Sequence, residues 1–280
     1  MVIRHEDLVG TFEQKKALVA QFNLMDDTFF SVVLENREAC EYLLTALLGK
    51  PIKVIENKTQ YSIRNIQDHS IVLDALVEDE KHNLYDVEIQ IGDKKNHERR
   101  LRYYHTAIDW SYLEKGKDYS ELPELYMIFI SDFDSFDLNK NHYEIVQYVK
   151  GTDREYSSGI HLLYFNTAVQ DGTDLSALLQ YLKKSEAENN NFGALSQQVK
   201  YHKIQNEGVD TMCKAVEEYA KDYAKEYGLM QRNEGIIEGK IKGKIETIKS
   251  LIDDGMPLDK ALKHTKLDMQ TYEKYCEKNQ

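Results

Sequence analysis

Two acidic residues sit where a β-strand pattern calls for apolar ones. The stretch from His69 to Ile91, HSIVLDALVEDEKHNLYDVEIQI, alternates with the period of two strands joined by a polar turn. In the first, Ile71, Leu73, Ala75 and Val77 share one face, and Val72, Asp74, Leu76 and Glu78 share the other. In the second, Tyr85, Val87, Ile89 and Ile91 alternate with Leu84, Asp86, Glu88 and Gln90. A short turn centred near Lys81 puts Asp74 opposite Glu88, with Cβ atoms about 5 Å apart. Two carboxylates there repel unless a positive charge lies between them, and a divalent cation with oxygen ligands suits the pair. The inference depends on register, because a slip of one residue sends the two side chains to opposite faces. Without a cation the bland reading is two solvated acids on the polar face of an edge hairpin. Asp86 shares the face of Glu88 and reads as a surface residue that could add a ligand.

The basic residues follow at once. From Asp93 to Arg102 two acidic residues, Asp93 and Glu98, stand against Lys94, Lys95, Arg99, Arg100 and Arg102, in a chain of formal net charge −12. That reversal suits phosphate contact beside a cleavage centre; the alternative is a solvated helix face. On the helix starting near Asn96, Leu101, Tyr104, His105, Ile108 and Tyr112 form the core stripe. Lys95, Arg99 and Arg102 share a neighbouring face and Arg100 lies elsewhere, while Tyr103, Tyr104 and Trp110 read as packing residues.

The elements that must position these groups are legible in outline. DDTFFSVVLENREACEYLLTALLG, from Asp26, reads as one amphipathic helix capped by Asp26 or Asp27 and stopped by Gly49 and Pro51. Ile52–Ile63 has weak strand character, and Leu125–Ser131 is an apolar run long enough for a buried strand. Further strands are expected over Tyr143–Val149 and His161–Phe165, a capped helix over Asp174–Lys184, and a loop at Ser185–Asn191. Beyond it the chain is helical. Its tail carries an isoleucine stripe (Ile237, Ile241, Ile245, Ile248, Ile252), a glycine ridge (Gly235, Gly239, Gly243), and two short helices near Met256–Thr265 and Met269–Lys278. Each mid-helix glycine costs about 1 kcal/mol relative to alanine, so the ridge invites close approach of another helix. Little else could bury the isoleucine stripe, which points to a homo-oligomer formed through the C-terminal helix.

Composition limits the function classes. The chain is 41% hydrophobic and 30% charged over 280 residues, enough for one large domain with an appendage. No run approaches the ~20 apolar residues of a membrane span, and a signal-peptide pattern is missing from the first residues. Cys40, Cys213 and Cys276 are scattered and odd in number, which suits a reducing, cytoplasmic setting. The acidic balance excludes a generic nucleic-acid coat protein.

The order DDTFF, VLDALV, YDVEIQ and then ERRLRYYHTAIDWSYLEKGKDYSELPELYMIFI resembles the PD-(D/E)XK nuclease superfamily, in its transposase-like, recombination-promoting branch. The resemblance covers about Leu24 to Lys184. It implies an α/β, restriction-endonuclease-like mixed sheet flanked by helices, here with an α-helical C-terminal extension: a nuclease-like domain over residues 1–205 and the extension over 206–280. It also implies divalent-metal-dependent hydrolysis of DNA phosphodiesters, with Mg²⁺ or Mn²⁺. Carried onto this sequence, Asp74 and Glu88 would be the metal-binding carboxylates. Asp27 matches an acidic position often seen at the start of the first helix. Gln90 stands where the superfamily usually has lysine, and glutamine orients by hydrogen bonds where lysine supplies charge; Lys94 or Lys95 is a candidate substitute. Two functions stay open: a metal-dependent DNA endonuclease, and a catalytically silent DNA-binding or assembly module with the same fold.

Overall fold

The apolar run Leu125–Ser131 lies inside a six-stranded sheet. In the computed structural model, which describes residues 10–63, 71–92 and 94–278, this strand is β4. The others are β1 (Val54–Ile63), β2 (Ile71–Asp79), β3 (Leu84–Gln90), β5 (His142–Ile145) and β6 (Ile160–Asn166). Their order is β1-β2-β3-β4-β6-β5. β4 pairs in parallel with β3 and β6, while the outer pairs are antiparallel. Parallel neighbours need a crossover, and between β3 and β4 the chain forms the helix His97–Tyr112. His69, Ser70, Asp93 and the first nine residues lie outside the described residues, as does the Ile237 side chain.

The remaining helices are α1 (Phe12–Val19), α2 (Asp27–Leu34), α3 (Arg37–Leu48), α5 (Asp174–Leu182), α6 (Gly193–Ile204), α7 (Asn206–Asp253), α8 (Leu258–Thr265) and α9 (Met269–Lys278), with α4 the crossover helix. The single helix expected from Asp26 to Leu48 is two. Asn36 adopts an extended backbone (φ −76°, ψ 116°) and its side chain accepts the Ala39 N–H at 3.0 Å. It thereby caps a new helix in the middle of the apolar periodicity. The strand expected over Tyr143–Val149 stops at Ile145. Past it the chain closes a loop, with the Val149 N–H donating to Arg154 O and the Tyr156 N–H to Gln147 O.

The sheet is covered on both faces. Ala75, Val77, Tyr85, Val87, Ile89, Ile128 and Ile130 face a core shared with α2, α3, α5 and α6. Leu84, Leu125, Met127, Phe129 and Tyr164 face a second core with Leu101 and Ile108 of α4. β3 is therefore buried along its whole length except Gln90. Its two acids lie in the interior rather than on a solvated edge.

The chain divides into two units, Met1–Glu217 and Glu218–Gln280. In the second, Ile245 and Ile248 are buried with Ala261, Leu262 and Leu267. The isoleucine stripe is thus covered in part by α8, and a second copy of the chain is not needed to bury those two residues. Among the described residues no helix is long and apolar enough to cross a membrane.

Candidate active site

The turn between β2 and β3 fixes the site. Asp79 Oδ1 accepts the N–H groups of Lys81 and Asn83, each at 2.9 Å, and its Oδ2 accepts the Tyr85 hydroxyl at 2.8 Å. This side chain mimics a backbone turn and sets the pairs Ala75–Val87, Leu76–Asp86, Val77–Tyr85 and Glu78–Leu84. That is the register of a turn centred on Lys81.

The ladder ends one step before Asp74 and Glu88. On the other side of β2, the β1 pairing includes Thr59–Ala75 and Tyr61–Leu73 but omits Gln60 and Asp74. Gln60 has φ +48°, a region that non-glycine residues rarely occupy. Its side-chain amide donates to Ser31 Oγ at 2.8 Å. The apolar residues of β2 also serve different cores about this point: Ile71 and Leu73 join the α4 side, and Ala75 and Val77 the other. Asp74 therefore sits where both ladders break, and side chains close the gap. The Asp74 N–H donates to Glu88 Oε1 at 3.1 Å, and the Ile89 N–H donates to Asp74 Oδ2 at 2.8 Å.

Burial makes these acids reluctant to ionise. Glu88 is 1% exposed and Asp86 0%, and both Asp86 carboxylate oxygens are without a hydrogen-bond partner. The carboxyls of Asp74, Asp86 and Glu88 are all pushed well above the usual carboxylate range. Burial is the largest cause in each, reinforced by Glu88 acting on Asp74, Asp74 on Asp86, and Asp86 on Glu88. Asp86 is not the surface residue its alternation suggested. Asp27 is the first residue of α2, with Asp26 at the cap position. Its carboxyl is also raised, chiefly by burial, and it acts electrostatically on Asp74.

Among the described residues the cation that answers this charge is Arg100. Its Nη2 donates to Glu88 Oε2 at 3.1 Å and its Nη1 to the Gln90 side-chain carbonyl. The guanidinium lies 5.3 Å from the centroid of the Tyr104 ring, and its Nε is buried without a partner. Lys94 does not reach in: its Nζ pairs with Asp137 Oδ1 at 2.5 Å on the surface. Arg99 and Arg102 are exposed on α4, as is Lys95 on the turn before it. Tyr103 and Trp110 are exposed as well, at 41% and 57%, so they are not the packing residues expected. His97 is buried against Phe129, Phe136 and Tyr164.

The donor set suits a hard divalent cation. Two buried carboxyls, Asp86 and Glu88, and the half-buried Asp74 lie near the Arg100 guanidinium, and the orphaned Asp86 oxygens are a cost that added positive charge would offset. Among the described residues no group of three or more His, Cys, Asp or Glu is arranged to hold a metal ion. The described residues suit instead the pattern in which one or two carboxylates hold a largely hydrated Mg²⁺.

A mixed sheet flanked by helices, with acids buried at a break in its ladder, defines a fold of the PD-(D/E)XK nuclease type. The chain belongs to the family described as PD-(D/E)XK nuclease family transposase, whose profile matches residues 28–234. That span contains Asp74, Asp86, Glu88, Gln90 and the basic residues from Lys94 to Arg102; Asp27 lies one position before it. Membership brings a nuclease-type function, with DNA as the substrate class and divalent metals in general use. Comparison with curated proteins and with solved structures gave no match.

Alternation pointed to Asp74 and Glu88 but missed the burial of Asp86 and the reach of Arg100. The usable signal was the apolar Leu125–Ser131: a strand parallel to it is covered on both faces.

Proposed function

We propose that the protein is a divalent-metal-dependent DNA endonuclease of the transposase-like, recombination-promoting type. The observation that carries this reading is the break at Asp74 and Glu88, where the half-buried Asp74 and the buried Glu88 cross-bond between the two strands beside the Arg100 guanidinium. Asp74 and Glu88 would hold Mg²⁺ or Mn²⁺, with Asp86 and Asp27 adding negative potential behind them. When bound, the ion supplies Lewis acidity and an activated water.

The chain's own groups do the rest. Glu88 holds Arg100 by one nitrogen and Gln90 holds it by the other, so the glutamine in the lysine position serves to aim an arginine. The guanidinium then offers fixed positive charge to a phosphate oxygen as negative charge grows there. Lys94, Lys95, Arg99 and Arg102, exposed outside this centre, would supply sequence-independent phosphate contacts to the flanking DNA. The cytoplasm is the setting we assign to this activity, in keeping with three scattered cysteines. Self-association through α7 would draw on Gly235, Gly239 and Gly243, whose Cα atoms face open space, since Ile245 and Ile248 are already covered.

A second reading follows from the Arg100–Glu88 pair itself. A carboxylate already matched by a guanidinium could hold the site together without metal, leaving a silent DNA-binding module. Plasmid nicking separates the two. With Mg²⁺ or Mn²⁺ the wild-type chain should nick supercoiled DNA, and Asp74→Ala, Glu88→Ala and Arg100→Ala should abolish nicking with circular dichroism unchanged. Lys94→Ala should keep most of it. Full cleavage by the Asp74→Ala/Glu88→Ala double variant would refute the enzyme reading, and metal-independent binding without cleavage would establish the silent module.

A further inference from the structure

The outer face of α4 carries a stripe that the catalytic centre does not use. Arg99, Tyr103, Thr106 and Trp110 recur at the spacing that aligns residues along a helix, and Arg102 flanks them. All are exposed, and all point away from Leu101 and Ile108, the residues by which α4 joins the core. The acids of α4 lie beside the stripe rather than in it, and Asp109 faces His105 at 3.4 Å.

Charge and shape together narrow what this face takes. Several lysines of the first unit are matched by an acid: Lys15 by Asp210, Lys53 by Glu41, Lys58 by Glu56, Lys94 by Asp137 and Lys117 by Glu121. The guanidinium groups of Arg99 and Arg102 have no ion-pair partner among the described residues. In a chain of net charge −12, two unmatched arginines lined up with an exposed indole favour an anionic ligand with flat apolar faces. A nucleic acid with unpaired bases has both, whereas a duplex presents phosphates but hides its base faces. The stripe begins in the first turn of α4, where Arg100 reaches Glu88. Trp110 is ten residues further along, about 15 Å at the helical rise, or several nucleotides.

We propose that this stripe binds single-stranded DNA adjoining the scissile phosphate, with Trp110 as the platform on which a base stacks and Arg99 and Arg102 on the flanking phosphates. The placement beside a scissile phosphate rests on the nuclease reading above; the stacking does not. The preferred substrate is then DNA with an unpaired flank, such as an overhang or a fork, rather than a continuous duplex.

Trp110 is the chain's only tryptophan, so its emission reports directly on the site. In an Asp74→Asn background, which prevents cleavage, oligo(dT) should quench that emission saturably, and a blunt duplex of equal length should not. By anisotropy of labelled oligo(dT), Trp110→Ala should bind about 10-fold or more weakly and Trp110→Phe should retain most of the affinity. Being exposed, the position tolerates both substitutions, which circular dichroism would verify. No quenching, equal quenching by the duplex, or unchanged affinity in Trp110→Ala would each overturn the proposal. So would a Trp110→Ala effect confined to self-association, which would make the stripe a protein interface. Plasmid nicking by the wild-type chain is scored separately, so loss of the nuclease reading leaves the stacking result standing, and the reverse.

Discussion

Asp86 is where function and stability conflict most openly. A fully buried carboxyl whose oxygens find no well-placed donor is costly, and the Glu88 carboxyl and the Arg100 guanidinium offset only part of that cost. Its folded-state pKa lies above the unfolded value, chiefly through burial. The stability it permits is therefore complete below the unfolded pKa, about pH 4, and is lost as pH rises toward the folded pKa. Asp79, Glu41 and Asp134 are shifted down and act in the opposite sense, so the total pH profile does not isolate the effect. The difference between wild type and Asp86→Asn does. In EDTA the variant is expected to melt higher, by a margin that is small near pH 4 and widens to pH 8. A gap that stays flat or closes over that range would show that Asp86 is not held protonated by burial. Saturating Mn²⁺ should narrow the gap at neutral pH, because the wild type, with one more negative charge beside Asp74 and Glu88, gains more from the cation than the variant does.

Among the elements, the β2–β3 turn has the largest influence on the site, since it aligns Asp74 with Glu88. Asp79 is 4% exposed and accepts from two backbone N–H groups, the Asn83 amide and the Tyr85 hydroxyl. Burial raises its carboxyl, but these bonds outweigh it and hold the group below the usual range. Asp79→Ala strands those donors and is expected to cost roughly 1–3 kcal/mol, measured by urea unfolding. It should also lower metal-dependent nicking, although Asp79 is at the far end of the strand from the carboxylates. Unchanged stability would mean that alternation sets the register without help from the turn. Lys203 has a comparable role among the helices. Its ammonium is buried and donates to the carbonyls of Ala20, Phe22 and Ser185, tying α6 to the end of α1 and to the loop after α5.

At the scale of the whole molecule, the chain has two cores about the sheet and a separate small one in the C-terminal unit. Ile248 is 0% exposed within that small core. Ile248→Ala is expected to destabilise the packing of α8 on α7 by about 2–5 kcal/mol, seen as faster amide exchange over residues 241–267. Protection in the first unit should be unchanged, since none of its core residues contributes to this cluster. Loss of protection across β2, β3 and β4 would show that the two units unfold as one.

Local chemistry alone determined the hairpin and the register next to its turn, from Glu78–Leu84 to Ala75–Val87, because a turn residue and a period of two act over a few neighbours; the break in both ladders at Asp74 lay beyond it. It likewise determined where α4 begins, the stop at Gly49 and the covered strand Leu125–Ser131. The helix break at Asn36 escaped because a capping side chain and a solvated asparagine look alike inside an apolar periodicity. Tertiary structure decided the rest of the site. Alternation assigns a residue to a face but does not say what packs on that face. Only the parallel placement of β3 beside β4, with α4 across it, buries Asp86 and Glu88. Arg100 was one basic residue among five until the crossover turned it toward Glu88 and Gln90 and left Arg99 and Arg102 outside. Which cation serves the carboxylates is settled by a helix rotation fixed through Leu101 and Ile108, a packing contact between segments far apart in the chain.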